Sequence, residues 1–144
     1  MFSKACEYGL KAMISIATKS AKGQRTNLKE ISANIDSPEQ FTAKILQQLS
    51  RSKLIHSVMG AHGGFEIRED EMRKIKLIDI VKTIDGDQLF VGCGLGLKEC
   101  NASKPCPIHH RFIGVRNDLT KILSETSLVE MSNDVNGGLA FLNR

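Results

Sequence analysis

Apolar positions in the N-terminal part of the chain recur every three to four residues, the spacing of amphipathic helices. Residues 3–21 form the first such segment, and Gly23 follows it as a stop. Its apolar face consists of Cys6, Leu10, Met13 and Ala17. The pattern predicts a helix that packs into a core, with Cys6 as a small buried hydrophobe rather than a metal ligand.

Two shorter helices, separated by a tight turn, are predicted next. Asn27 can cap the first, with Glu30 three residues further on, and this helix is expected to end near residues 34–36. Ser37 can cap the second, with Pro38 at its first position, where a missing N–H costs nothing. The side chains expected to face inward are Leu28, Ile31, Ile35, Phe41, Ile45, Leu46 and Leu49. This arrangement is a helix-turn-helix.

After the second of these helices, apolar positions recur every two residues, the spacing of β-strands. Residues 54–58 have the pattern of a strand, residues 60–64 that of a turn and residues 65–67 that of a returning strand. A hairpin directly after a helix-turn-helix is a wing. The pattern therefore predicts a winged helix-turn-helix domain, with a small α+β core of another kind as the alternative.

Helical spacing returns in the C-terminal half. Residues 76–86 predict a helix that ends at Gly86, and a short helix and tail are expected after Leu128. Between them lies a long apolar stripe made of Ile108, Phe112, Val115, Leu119, Ile122 and Leu123. Few elements remain to cover this stripe, so we expect it to pack on a second subunit, because helix-turn-helix proteins usually act as dimers. The alternative is that the helix folds back on its own domain.

These elements predict a mainly α-helical fold with a small β-hairpin wing. Residues 1–86 would form the winged helix-turn-helix DNA-binding region. Residues 87–108 would form a cysteine-rich cluster-binding loop, and residues 109–144 a dimerisation helix with a C-terminal tail.

Composition limits the classes of protein that fit. A chain of 144 residues, 41% of them hydrophobic and 25% charged, is an ordinary globular domain, which argues against a disordered, fibrous or large multidomain protein. No segment resembles a signal peptide or is long enough to span a membrane, so we expect a cytoplasmic protein. A Gly-rich phosphate loop, a nucleophile elbow and a spare acid/base pair are all missing from the sequence, and an enzyme is not expected.

Charge is unevenly distributed along the chain. Residues 1–62 hold nine Lys and Arg against four Asp and Glu, whereas residues 63–144 hold eleven against twelve. A basic N-terminal half suits a surface that faces DNA phosphates, although a solvated basic face is the simpler alternative. The residues expected to contact DNA are Asn27, Gln40, Thr42, Lys44, Gln47, Gln48, Arg51, His62 and Gly63.

Three cysteines and two histidines lie close together in the sequence GCGLGLKECNASKPCPIHH. Cys93, Cys100, Cys106 and His109 are separated by six, five and two residues, and His110 follows. Thiolate and imidazole are the ligands of iron–sulfur clusters and of zinc. The wide gaps favour a cluster over a zinc knuckle, and a redox switch in which two of the thiols form a disulfide remains an alternative.

Over essentially its whole length the chain resembles the IscR/NsrR family of winged-helix regulators that bind iron–sulfur clusters. The resemblance rests on residues 8–12 (YGLKA), on the wing sequence of residues 60–65 (GAHGGF) and on the cysteine loop before a long helix. It implies a homodimer on a palindromic operator, with one two-iron or four-iron cluster per subunit. Met59 departs from the family, which often has an arginine just before the first glycine of the wing.

The resemblance also implies a set of cluster ligands. Cys93, Cys100 and Cys106 stand where the family has its three cluster cysteines. His109 keeps the two-residue gap of members that use a loop histidine, and is the first candidate for the fourth ligand. Glu7 of the partner subunit is the alternative, whereas His110 is expected on the helix surface.

Overall fold

The computed structural model describes all residues from Met1 to Arg144. Its elements, in chain order, are α1 (Lys4–Ser20), α2 (Leu28–Ile35), α3 (Glu39–Arg51), β1 (His56–Val58), β2 (Gly64–Glu66), α4 (Glu69–Lys74), α5 (Leu77–Asp85), α6 (Gln88–Val91), α7 (His109–Glu125) and α8 (Leu128–Asn136). The mainly helical architecture with one antiparallel hairpin confirms the predicted fold class. No helix combines the length and the apolar character needed to cross a bilayer.

Helix α1 lies at the centre of the molecule and packs against α2, α3, α5 and α8. Its face carries the predicted stripe, and Met13 and Ala17 are fully buried. Gly9 lets Ile84 of α5 pack directly against α1, because a Cβ at this position would lie 2.1 Å from the Ile84 Cδ1. The apolar face of α1 thus fixes the helix-turn-helix on one side and the C-terminal helices on the other.

Local capping explains where the first helix of the helix-turn-helix begins and ends. The Asn27 side chain accepts a hydrogen bond from the Glu30 backbone N–H at 2.9 Å, as the N-cap pattern predicts. Asp36 ends α2 in the left-handed conformation, with φ of 51°. Ile31 and Ile35 are buried, as expected.

Two details of the second helix were predicted wrongly. Pro38, not Ser37, occupies the N-cap position of α3, and the Ser37 hydroxyl bonds to the Thr42 hydroxyl instead. Phe41, expected in the buried stripe, is 36% exposed and packs edge-on against the ring of Tyr8. The turn therefore takes one more residue than the cap pattern suggests.

Thr42 was expected to be exposed and to contact DNA, and this expectation of exposure is wrong. Its side chain is fully buried, and its hydroxyl donates to the Pro38 carbonyl at 2.9 Å. Because the hydroxyl also meets Ser37, Thr42 fixes the turn that leads into α3.

Thr42→Val should lower the free energy of unfolding by about 0.5–1.5 kcal/mol, because it removes buried hydrogen bonds at nearly constant volume. Urea unfolding followed by circular dichroism measures this loss. Thr42→Ser, which keeps the hydroxyl, should recover part of it. A Thr42→Val protein of unchanged stability that binds DNA more weakly would show that Thr42 reads DNA after all.

The wing is a short hairpin in which His56 pairs with Glu66 and Val58 with Gly64. The first strand is shorter than predicted, because residues 54 and 55 belong to the turn after α3, whereas the second has the predicted three residues but begins one residue earlier. A third segment widens the sheet at one position, where the Phe65 N–H donates to the Thr26 carbonyl at 2.8 Å. This bridge ties the wing to the start of α2.

The C-terminal half adds two short helices that the apolar pattern did not predict. Helix α4 carries one buried apolar residue, Met72, in an otherwise charged segment, and α6 spans only four residues. Helices α5, α7 and α8 lie where the pattern predicts them. Helix α7 packs against α5 and α6, yet it exposes Val115 and Ile122 along much of its length.

Candidate functional site

The cysteine loop runs from α6 to α7 and folds back on the first turns of α7. Cys93, Cys100, Cys106 and His109 line one cavity, which in this structure is too narrow to hold a water molecule. Phe112, Ile113 and Arg116 on α7 complete its wall. The structure therefore brings together four of the residues that the sequence proposes as ligands, although Cys93 and His109 are sixteen positions apart.

Two of these candidate ligands are in direct contact. Sγ of Cys100 lies 3.4 Å from Nδ1 of His109, whose side chain is buried. Bond lengths of about 2.3 Å to sulfur and 2.0–2.1 Å to nitrogen at a tetrahedral metal put such a pair about 3.5 Å apart. This spacing fits two ligands of one metal. His110 is exposed, as expected of a surface residue.

Cys93 lies in a small nest of backbone donors. The N–H groups of Leu95 and Leu97, together with the neighbouring Cys106 thiol, hold the pKa of Cys93 below its ordinary value. The thiolate is the form that binds metals, so this part of the loop favours the species that a metal requires. No three His, Cys, Asp or Glu side chains converge closely enough to hold a single ion, so binding requires the loop side chains to draw together.

Two other residues with side chains that can bind metals, Glu7 and Cys6 of the same chain, lie outside the cavity. Glu7 of the same chain pairs with Lys4 at 3.2 Å on the exposed face of α1 and does not line the cavity. Glu7 of the partner subunit remains a prediction. Cys6 is fully buried, and burial, with Asp85 beside it, raises the pKa of its thiol to about 12. Cys6 is therefore the buried hydrophobe that the sequence predicts.

One glycine of the loop is required by close packing. A Cβ on Gly94 would lie 2.7 Å from the ring of Phe112, which lines the cavity. The backbone beside Cys93 can approach α7 only without a side chain at this position.

Gly94→Ala should therefore push the loop away from α7, and the cluster that the cysteine loop is predicted to bind should be held less tightly. We expect iron retention to fall by about 10–100-fold, the usual cost of disturbing residues that orient ligands. Competition with an iron chelator measures the loss. Adding Phe112→Ala should restore part of the binding by removing the ring, and an unimpaired Gly94→Ala protein would contradict the packing argument.

The DNA-facing candidates lie on α3 and the wing, except Asn27, which caps α2, and all but Thr42 and Gly63 are exposed. Lys44 and Gln47 line a groove of about 470 Å³ between α3 and the hairpin, together with Ser57 and Phe65. Gln40, Arg51 and His62 are also exposed, and Gly63 lies half-buried in the wing turn. A Cβ on Gly63 would lie 2.1 Å from the Val58 carbonyl oxygen, so this turn needs glycine.

Two candidates are already engaged within the chain. The Gln48 side chain donates to the Thr83 carbonyl of α5 at 2.9 Å. The Asn27 amide is shared with Glu30, to whose side chain it donates at 2.8 Å. Their roles in DNA contact remain predictions, but both side chains would have to leave internal partners.

Sequence reasoning missed two arginines. Arg25 stabilises the wing, because its guanidinium pairs with Glu66 at 3.0 Å and donates to the His62 carbonyl at 3.3 Å. Nothing local in the sequence marks this contact. Arg116 lines the cysteine cavity, and its helical spacing of seven from His109 places both on one face of α7.

Comparison with known proteins agrees with this architecture. The family model of Rrf2, described as an iron-dependent transcriptional regulator, matches residues 2–134. An HTH-type transcriptional regulator of Mycobacterium tuberculosis is 30% identical over 131 residues, which cover 90% of this chain and 80% of that protein.

Two solved structures share the fold. CymR, the global cysteine regulator of B. subtilis, superposes with a TM-score of 0.73 at 23% identity, covering 96% of this chain and 97% of that one. T. potens IscR superposes with a TM-score of 0.72 at 21% identity, covering 97% and 91%. The resemblance to the IscR/NsrR regulators, and the expectation of a regulator rather than an enzyme, are confirmed. The chain belongs to the Rrf2 family of DNA-binding transcriptional regulators.

Proposed function

We propose that this regulator acts in the cytoplasm as a homodimer on a palindromic operator, and that an iron–sulfur cluster in the cysteine loop controls its binding to DNA. One observation carries the proposal: Cys100 and His109 lie 3.4 Å apart, in a cavity that Cys93 and Cys106 also line. Three thiolates and one imidazole suit a sensor, because the nitrogen ligand leaves one position more exchangeable.

Each residue of the loop has a distinct task. Cys93, Cys100 and Cys106 would hold the cluster, with His109 as the fourth ligand, and the backbone N–H groups of residues 95 and 97 stabilise the Cys93 thiolate. When bound, the cluster would supply reactivity toward oxidants or nitric oxide. Gly94 lets the loop lie against Phe112, so that the ligands are held on the first turns of α7.

A connected set of contacts leads from the loop to the DNA-facing helix. The Gly92 N–H donates to the Gln88 carbonyl at 2.8 Å, which ties the start of the loop to α6. Helix α5 directly precedes α6, and its Thr83 carbonyl accepts from Gln48 on α3. A shift of the loop would therefore act on α3 through α5.

The proposed dimer uses α7. Val115 and Ile122 on this helix are 63% and 59% exposed, and exposed apolar side chains on a long helix favour burial against a second copy. A symmetric pair of α3 helices would then reach two half-sites of an operator.

Anaerobic purification followed by iron, sulfide and zinc analysis tests the identity of the bound group. We expect iron and sulfide together with visible absorption from iron–thiolate charge transfer. A colourless protein that holds one zinc and no sulfide would instead support a structural Cys₃His site.

A thiol switch is the second candidate, because Cys93 and Cys106 line the same cavity. Two thiols would form a disulfide and release two protons and two electrons, which reduce one hydrogen peroxide to two waters. Mass spectrometry of the metal-free protein after peroxide treatment distinguishes this case. A Cys93–Cys106 disulfide that alters DNA affinity without any metal would favour it over the cluster.

A further inference from the structure

One cation faces the cysteine cavity from α7. Arg116 lines the cavity together with Cys93, Cys100, Cys106 and His109. The other basic residues of the region, Lys98, Lys104 and Arg111, are exposed and do not line it. Arg116 is therefore the one permanently charged side chain in the wall of the cavity.

The contacts of Arg116 leave part of its guanidinium unused. Nη1 donates to the Gly92 carbonyl at 2.9 Å, and Gly92 directly precedes Cys93. Nε is buried and has no hydrogen-bond partner. A buried donor without a partner is costly, and a polar group in such a place normally serves a ligand or a second state of the protein.

The charge expected at the loaded site indicates which group the Nε–H of Arg116 would bind. Cysteines must lose their protons to bind iron, so loading would place three thiolates in the one narrow cavity that Arg116 also lines. Negative charge in a partly buried site requires a counter-charge. Arg116 is placed to supply it, and its planar fork can hold the Gly92 carbonyl and an anionic sulfur at the same time.

We propose that Arg116 is the charge-balancing residue of the cysteine site, which fixes the start of the loop through Gly92 and donates its buried Nε–H to the sulfur of the loaded site. This inference rests on the proposed function. It assigns to α7 a second task beside packing, because the same helix would carry the ligand His109 and the counter-charge.

Charge and hydrogen bonding can be separated by substitution. Arg116→Gln and Arg116→Met remove the charge, whereas Arg116→Lys keeps it. Arg111→Gln is the matched control, since Arg111 is an exposed arginine on the same helix. Each protein is loaded anaerobically with ferrous iron and sulfide. The loss of visible absorption under excess iron chelator, the reduction potential, and the melting temperature of the metal-free form are then measured.

We expect both neutral variants to retain iron about 10–100-fold less well and to have a more negative potential, because the reduced site loses its counter-charge. Arg116→Lys should stay close to the wild type in potential, and Arg111→Gln should match the wild type in every measurement. All metal-free forms should melt at similar temperatures.

Two results would overturn the inference while leaving the cluster in place. Neutral variants with wild-type retention and potential would exclude any role for the charge. Equal losses in Arg116→Lys and Arg116→Gln, with an unchanged potential, would reduce Arg116 to a structural contact with Gly92. Wild-type protein that takes up no iron and sulfide would instead refute the proposed function itself, and the inference with it.

Discussion

Cys106→Ala protein purified without oxygen is expected to contain no iron and no sulfide, and to lack visible absorption. The Cys106 thiol is one of three that the cavity offers, and a site with two thiolates and one imidazole cannot complete the ligand set of a cluster. The fold should persist, because Cys106 lies in the loop, outside the clusters of buried apolar residues. Elemental analysis and far-ultraviolet circular dichroism measure the two effects together.

The matched control is Cys6→Ala, which removes the fourth cysteine of the chain. Cys6 is buried against Val81 and Leu123, away from the cavity, so its loss should leave iron and sulfide at wild-type levels. Equal iron loss in both variants would mean that general destabilisation, not ligand removal, releases the metal. Unfolding of metal-free Cys106→Ala would mean that the metal is structural.

Gln47→Ala is expected to weaken operator binding by about 1–3 kcal/mol, or roughly 5–150-fold, the usual range for loss of a base-reading contact. Gln47 is exposed in the groove between α3 and the wing, where its amide can meet a base edge. Fluorescence anisotropy with DNA from the promoter of the regulator's own gene, at fixed salt, measures the change.

Gln48→Ala provides the comparison at the next position of the same helix. The Gln48 amide is held by the Thr83 carbonyl, so its loss should change the affinity of the metal-free protein by about twofold or less. Equal losses for Gln47→Ala and Gln48→Ala would show that Gln48 leaves α5 when DNA binds. No loss for either variant would place the base-reading face elsewhere.

Local sequence patterns were sufficient to predict most of the helices. The three-to-four-residue spacing predicted the buried faces of α1 and α2, because a small protein has a single core in which apolar side chains can be buried. The buried residues on these faces include Met13, Ala17, Ile31 and Ile35. The Asn27 cap was predictable because it acts over only three residues. Helix α4 was not, since a single buried Met72 gives no periodicity.

Features set by distant contacts could not be predicted from the sequence. The burial of Thr42 was not predicted either, although its bonds to Ser37 and Pro38 are local, because its side chain has the polarity of an exposed residue. The bond of Gln48 to Thr83 spans 35 positions, and that of Arg116 to Gly92 spans 24. The cysteine spacing indicated a metal site, whereas the contact of Cys100 with His109 depends on how the loop folds onto α7.

The most direct test of control by the loop is the DNA affinity of a single preparation, measured before and after its iron is removed by an anaerobic chelator. Cluster control predicts at least a tenfold difference, about 1.4 kcal/mol, between the two forms of the wild type. Cys106→Ala should show no difference under the same treatment. Equal affinities for loaded and stripped wild-type protein would contradict control of DNA binding by the cysteine loop.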